Sequence, residues 1–152
     1  LSSSRLVINE NSILFSNNKN EFYSIDIKTG SINWKNTINS VLSPIIIGNI
    51  IITVSSSGYL HIVDKKSGNI MRINDLYNNY DTKKRIKIQP TGFLISLSKI
   101  YLTNDDGRLI IADLNTGNIL STIKIASDKI SQPHVYDNNL FLIRNGSIIK
   151  FN

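Results

Sequence analysis

The chain has 152 residues, 41% of them hydrophobic and 18% charged, a composition that is typical of a globular protein and excludes a disordered one. Its net charge of +6 is enough to attract an acidic partner, nucleic acid or an anionic membrane surface, but the Lys and Arg residues are mostly scattered, which favours a generally basic surface. The absence of Cys excludes disulfides, thiolate catalysis and zinc–thiolate sites.

One segment recurs along the chain with the pattern apolar-x-x-Ile/Val/Ala-Asp-x-x-Thr/Ser-Gly-x-Ile. It occupies residues 22–32, 60–70 and 109–119, and a clipped fourth copy follows at 148–152. Its Asp position recurs at intervals of 38, 49 and 39 residues, at Asp26, Asp64, Asp113 and Asn152. A unit near 40 residues with strand-like content predicts a four-stranded β-propeller blade.

In chain order, the predicted blades cover residues 5–40, 41–87, 88–126 and 130–152 of a single partial propeller, residues 1–152. The third blade shows the pattern most clearly, and its predicted strands are Gly92–Leu97, Ile100–Asn104, Arg108–Asp113 and Asn118–Ile125. Gly-containing turns separate the strands, because tight hairpins need positive φ angles. The fourth blade lacks its last strand, so the prediction is an all-β fragment of fifteen strands.

The repeated Asp residues are predicted to have a structural role. A short carboxylate at the start of Asp-x-x-Thr/Ser-Gly can accept hydrogen bonds from backbone N–H groups two or three residues further on. Equivalent positions in successive blades lie on one rim but far apart, so these side chains cannot converge on one ion. No residue is therefore assigned to a catalytic, cofactor-binding or metal site. His61 is interpreted as an ordinary strand residue, and Asp105-Asp106-Gly107 as a hairpin turn.

One segment departs from the repeat. About ten extra residues lie between Asn74 and Lys87, and we call residues 74–87 the insertion. Insertions in repeat proteins form loops on one face, which is often the binding face. Tyr and Arg contribute most to binding energies. The insertion therefore supplies the predicted partner-binding residues: Tyr77, Tyr80, Lys83, Lys84 and Arg85. The alternative interpretation is a solvated connection between blades, and nucleic-acid binding has weak support.

The pattern resembles the quinoprotein-type (PQQ-like) β-propeller repeat, and Trp34 matches its docking tryptophan. Ser121 stands at the corresponding place in the third blade. The chain resembles more closely the C-terminal half of the BamB family of outer-membrane-assembly lipoproteins. The residues that carry this resemblance are Tyr101–Leu109 leading into Asp113, Ser131-Gln132-Pro133, and Leu142–Ile149, with weaker matches at Ile32–Lys35 and Leu42-Ser43-Pro44.

The resemblance implies half of an eight-bladed ring, with no enzymatic activity and no cofactor. It also implies a protein tethered to the periplasmic face of the outer membrane of a Gram-negative bacterium, by a lipid-bearing N-terminal cysteine, that binds the POTRA modules of the barrel-assembly protein. Since the chain begins at Leu1 and its only Met is Met71, we expect it to be a piece of a longer protein. The ring would be completed by the N-terminal half or by a second copy.

Two other functions remain open from the sequence. The chain is also compatible with another PQQ-like propeller that serves as a binding or sensor module. A fragment of a quinone-dependent dehydrogenase is the second alternative, although the chain has no Cys and no cluster of acidic residues outside turns.

Overall fold

The computed structural model describes residues 2–151, which form fifteen strands and one short helix. The first two sheets contain β1 (Val7–Asn9), β2 (Ser12–Asn17), β3 (Glu21–Asp26) and β4 (Ile32–Asn36), then β5 (Ile45–Ile47), β6 (Ile50–Val54), β7 (Tyr59–Asp64) and β8 (Ile70–Asp75). The helix α1 (Thr82–Arg85) precedes the third sheet, which contains β9 (Pro90–Ser96), β10 (Lys99–Asn104), β11 (Arg108–Asp113) and β12 (Ile119–Lys124). The fourth sheet contains β13 (His134–Tyr136), β14 (Asn139–Arg144) and β15 (Ser147–Phe151).

Strands that are neighbours in the sequence are also neighbours in each sheet. The orders are β1-β2-β3-β4, β5-β6-β7-β8, β9-β10-β11-β12 and β13-β14-β15, and the pairs whose register is defined are antiparallel. This confirms the predicted all-β architecture, including a last sheet of three strands. The strands predicted for the third blade agree with β9 to β12 within two residues.

The burial of each strand follows its place in the sheet. The inner strands β6 and β7 are buried along most of their length, and in the run Ile50–Val54 every residue but Thr53 is apolar. The outer strand β12 instead alternates between half-buried and exposed residues. A strand that is covered on both faces needs apolar side chains in both directions, whereas an edge strand needs them in one.

The chain divides into two compact units, residues 1–74 and 75–152. In the first unit, the two sheets pack on each other through Leu14, Phe22, Trp34, Ile38, Ile51 and Val63. The Trp34 indole N–H donates a hydrogen bond of 3.0 Å to the Lys65 carbonyl oxygen, and its ring meets Phe22 edge-on at 5.3 Å. Trp34 therefore joins β4 to the turn that follows β7, which is the docking role predicted for it.

The second unit has no tryptophan at the corresponding position. Ser121 lies on β12 opposite Ile111. The contact between the third and fourth sheets is made instead by a smaller cluster of Ala126, Ile130 and Leu142, against which Ile125 and Phe151 pack. The carbonyl oxygen of Gly107 accepts hydrogen bonds from the N–H groups of both Ile125 and Ala126, at 2.9 and 3.1 Å. These bonds hold residues 125 and 126 beside the start of β11, and short aliphatic side chains replace the indole between the sheets.

The turn that follows the repeated Asp has the predicted hydrogen bonds. Oδ1 of Asp26 accepts hydrogen bonds from the Thr29 N–H at 2.8 Å and the Thr29 hydroxyl at 3.0 Å, and the Gly30 N–H donates to the Asp26 carbonyl oxygen at 2.9 Å. Asp64 with Ser67, and Asp113 with Thr116, repeat the same arrangement. Its structural role is therefore confirmed.

Gly30 and Gly68 occupy the same position of this turn, with φ of +71° and +74°. A Cβ at Gly68 would lie 2.5 Å from a carbon of the Trp34 ring, whereas a Cβ at Gly30 would meet nothing within 4 Å. We expect Gly30→Ala to lower the free energy of unfolding by about 1–2 kcal/mol, the cost of a left-handed backbone. Gly68→Ala adds an overpacking cost of about 1–3 kcal/mol. Urea unfolding measures the loss of stability in each variant. Equal losses in Gly30→Ala and Gly68→Ala would contradict the close contact between Gly68 and the Trp34 ring.

The turns also predict how stability depends on pH. Hydrogen bonds from Thr29 hold the pKa of Asp26 below its usual value, and those from Ser67 do the same for Asp64. A folded-state pKa below the unfolded one stabilises the protein above the unfolded pKa of ~4, and this contribution is lost as the pH falls through the folded pKa. We expect the free energy of unfolding to fall below pH ~4, and to fall less in Asp64→Asn, which cannot titrate there. Denaturant unfolding across this pH range measures it, and an unchanged slope in the variant would contradict the assignment.

Candidate functional site

The insertion is anchored by two side chains that point into the protein. Leu76 and Tyr77 are both fully buried. The Tyr77 hydroxyl donates a hydrogen bond of 2.5 Å to Oδ1 of the fully buried Asn104 on β10, and the Tyr77 N–H donates to Oδ1 of Asp75 at 2.9 Å. These contacts tie the start of the insertion to the third sheet.

Tyr80 is the next aromatic residue, and two cations lie against its ring. The rings of Tyr77 and Tyr80 meet edge-on at 5.3 Å. The Lys84 ammonium lies 5.2 Å, and the Arg108 guanidinium carbon 5.8 Å, from the centroid of the Tyr80 ring, distances at which the π electrons attract a cation. Burial raises the pKa of both tyrosines, to about 12 for Tyr80, so that both are neutral near pH 7.

A short helix and an ion pair hold the rest of the insertion. The side chain of Asp81 caps α1 by accepting a hydrogen bond of 2.9 Å from the Lys84 N–H. The Arg85 guanidinium donates to Oδ2 of Asp75 at 2.6 Å, which joins the end of α1 to the residue where β8 ends. Ion pairs near the surface contribute little to the free energy of unfolding, but this half-buried pair fixes the path of the loop between two anchored points.

The outer side of this assembly forms a recess of about 230 Å³. Its walls are Asn79, Tyr80, Asp81, Lys84, Arg108 and Thr122, and we call it the Tyr80 recess. Oδ2 of Asp106 lies 2.5 Å from Nη1 of Arg108 and 3.8 Å from Nζ of Lys84, and the backbone oxygen of Asp106 accepts a hydrogen bond from Lys124. Three cations therefore surround one aspartate beside the recess.

The structure places the five predicted partner-binding residues in different environments. Tyr77 is buried with its hydroxyl bonded, so it supports the insertion from inside and is not available for contact. Tyr80, Lys84 and Arg85 are half-buried, and Lys83 is exposed. The partner-binding role of the accessible residues stays a prediction. Sequence reasoning missed Arg108 and Thr122, because only the fold brings β11 and β12 beside the insertion.

The two histidines lie outside this site. His61 on β7 is 8% exposed with its Nδ1 3.0 Å from the Tyr59 carbonyl oxygen, and burial lowers the pKa of its imidazole. It has the strand role that the sequence predicts. Asp105-Asp106-Gly107 forms the turn between β10 and β11, also as predicted. Within residues 2–151, no three Asp, Glu or His side chains are grouped so that they could share a metal ion, and none of the helical segments has the length and hydropathy of a membrane span.

The first half of the chain matches a known family model. The model described as outer membrane protein assembly factor BamB matches residues 1–74, which are the residues of the first unit. A curated relative, the outer membrane protein assembly factor BamB of Legionella pneumophila (strain Paris), is 22% identical over 107 residues. That match covers 68% of this chain and 26% of the relative, so the chain spans about a quarter of the relative's length.

Solved structures extend the likeness to nearly the whole chain. The crystal structure of BamB from Moraxella catarrhalis matches with a TM-score of 0.75 and 14% identity, over 97% of this chain and 41% of the BamB chain. The quinohemoprotein alcohol dehydrogenase ADHIIG from Pseudomonas putida HK5 matches with a TM-score of 0.62 and 16% identity, over 79% of this chain and 20% of the enzyme. At such identities the two likenesses establish the fold.

The chain is therefore a β-propeller protein, and its sheets are propeller blades. Its predicted resemblance to the BamB family is confirmed by the family model, the curated relative and the solved structure.

The anchoring role of Tyr77 is testable. Tyr77→Phe leaves the buried side-chain oxygen of Asn104 without its donor, which costs about 1–3 kcal/mol of unfolding free energy. Tyr136→Phe is the matched control, because Tyr136 is 77% exposed and its change should stay within about 0.5 kcal/mol. Chemical denaturation measures both variants. A loss in Tyr77→Phe no larger than in the control would show that the hydroxyl does not hold the insertion.

Proposed function

We propose that the chain is part of a non-enzymatic, protein-binding scaffold of the machinery that assembles β-barrel proteins into the outer membrane. The observation that carries the proposal is the likeness to BamB, which is found by the family model, the curated relative and the solved structure. The chain spans only part of those proteins, so the partner and the location of the whole protein are included in the proposal.

The use of polar residues in the repeats supports a scaffold. The carboxylates of Asp26, Asp64 and Asp113 accept hydrogen bonds from their own turns. The lone pairs of these carboxylates are thus used in the turns of the repeat. The polar residues that recur most regularly in the sequence therefore stabilise the fold. Beyond Asp75, where β8 ends, the insertion adds charged and apolar side chains that belong to no strand, and it is fixed in place by Tyr77 and Asp75.

The proposed partners are the POTRA modules of the barrel-assembly protein. The proposed location is the periplasmic face of the outer membrane, reached through a lipid anchor outside the present sequence. Completion of a ring by an N-terminal half or by a second copy stays a prediction. The last sheet provides a surface for such a contact, because the paired residues Ile143 and Ile148 are 47% and 73% exposed, and exposed apolar patches mark association surfaces.

The two alternative functions that the sequence analysis left open remain alternatives to this proposal. Another PQQ-like propeller, acting as a binding or sensor module, would share every feature of the blades. A fragment of a quinone-dependent dehydrogenase is favoured by one observation, the fold similarity to the quinohemoprotein alcohol dehydrogenase.

Isothermal titration of the 152-residue chain with purified POTRA modules from the same bacterium tests the proposal. We expect saturable binding that Lys83→Glu weakens several-fold, because a reversed charge at an interface rim repels an acidic surface. Lys28→Glu, which changes another exposed lysine in a repeat turn, should leave the affinity nearly unchanged.

Two outcomes would contradict the proposal. An absence of saturable heat at two well-separated temperatures, with correctly folded proteins, would remove the assembly function for this chain, because a binding enthalpy that is zero at one temperature is not zero at the other. Thermal stabilisation by pyrroloquinoline quinone with calcium would favour the dehydrogenase instead, since a ligand that binds the folded state raises its stability.

A further inference from the structure

We propose that the Tyr80 recess binds carboxylate side chains from an acidic segment of a partner protein. The inference rests on the proposed scaffold function. It adds the chemical nature of the partner segment and the residues that would recognise it. The interaction is reversible and ionic, with an apolar contact beside it.

The walls of the recess supply hydrogen-bond donors suited to a carboxylate. Lys84 offers an ammonium group, Arg108 a guanidinium group, Asn79 a side-chain amide and Thr122 a hydroxyl. Tyr80 forms the floor with a neutral ring, because burial keeps its pKa at about 12. The volume of about 230 Å³ accommodates one Glu or Asp side chain.

The recess and the insertion beside it carry six cations against four aspartates, so two positive charges are in surplus for a ligand. Asp81 also lines the recess, and its Oδ1 accepts the helix N–H of Lys84 while keeping its negative charge. Oδ1 of Asp106 accepts the Arg108 N–H at 3.2 Å, and its Oδ2 contacts the Arg108 guanidinium. Lys84 contacts Asp106 only at 3.8 Å and its side chain is 39% exposed, so its ammonium can turn to a second carboxylate. Lys124, whose ammonium contacts only a backbone oxygen of Asp106, adds a further positive charge.

A wider surface extends from the recess along the insertion. Lys83 and Lys87 are exposed and have no ion pair within the part of the chain that the structure describes. Ile86 lies between them in the sequence and is 73% exposed. This alternation of cations with one apolar side chain complements a segment in which acidic residues alternate with an apolar residue.

The surface is held in place by contacts below it. Tyr77 is bonded to Asn104, Arg85 to Asp75, and Asp81 caps α1. A loop that is ordered before binding loses less conformational entropy when the partner arrives, and more of the ionic attraction then appears as affinity.

An acidic peptide suits this surface better than nucleic acid does. Asp75, Asp81, Asp105 and Asp106 are interleaved with the cations, which opposes the uniform negative charge of a phosphate backbone. Single-stranded nucleic acid also needs open aromatic faces for stacking. Tyr80 is half-buried, with Lys84 and Arg108 against its ring.

The test is a ¹⁵N–¹H NMR titration of the 152-residue chain with a short peptide that alternates glutamate pairs with single leucines. We expect amide shifts confined to residues 79–87 and to Arg108 and Thr122, and no binding of the peptide with glutamine in place of glutamate. The triple variant Lys83→Gln/Lys84→Gln/Lys87→Gln should bind the peptide about tenfold more weakly, because each exposed pair contributes at most several-fold.

A second triple variant, Lys28→Gln/Lys66→Gln/Lys99→Gln, is the matched control. It removes the same charge from exposed positions in repeat turns and hairpins, so its affinity should stay close to that of the parent chain. The amide spectra of both variants must show the folded pattern of the parent. Equal losses of peptide affinity in the two variants, or amide shifts spread over the whole chain, would show that binding depends only on net charge. Either result would overturn the proposal.

Three further outcomes separate this proposal from the scaffold function. Tighter binding of a single-stranded oligonucleotide, or of anionic lipid vesicles, would assign the recess to a different macromolecule and overturn the proposal. POTRA binding that is unchanged in the Lys83/Lys84/Lys87 variant would also overturn it, while the scaffold function stands. A parent chain that binds the glutamate peptide but no POTRA modules would support the recess and reject the assembly function.

Discussion

A sheet of three or four short strands cannot cover its own two faces, and every other feature of this chain follows from that constraint. The isoleucine-rich inner strands need cover on both sides, and in each unit that cover is another sheet of the same chain. Where Trp34 is present it covers the neighbouring turn and meets Phe22. That contact explains why Gly68 cannot carry a side chain, and why the same turn at Gly30 has open space beside it.

The same constraint determines which polar residues are available for function. The repeated aspartates shape the turns between the last two strands of the first three blades, and hydrogen bonds keep the pKa of Asp26 and Asp64 low. A carboxylate that accepts two or three short hydrogen bonds is a poor base and a poor ligand. This requirement does not apply to residues 76–87 of the insertion, because they belong to no strand. The insertion still uses two buried side chains, one cap and one ion pair to hold its shape.

The fold could be predicted from the sequence because its signals are local. Alternating apolar residues, Gly-containing hairpins and an Asp-x-x-Thr/Ser-Gly turn each report on a few neighbouring residues, and their recurrence fixes the sheets. The site was only partly predictable. Composition marks Tyr77 and Tyr80 as binding residues alike, but only the fold shows that Tyr77 points to Asn104 and leaves Tyr80 beside the recess. Arg108 and Thr122 belong to later strands, and no local sequence pattern predicts that they line the recess with the insertion.

Native-state hydrogen exchange on the 152-residue chain tests most directly whether blades owe their stability to each other. In the first unit, amides of β2, β3, β6 and β7 should exchange with one common opening free energy. Replacing Trp34 with alanine should lower that value for both sheets together, because the indole is shared between them. Loss of protection in β2 and β3 alone, with β6 and β7 unchanged, would show that each sheet is stable by itself and would contradict the account.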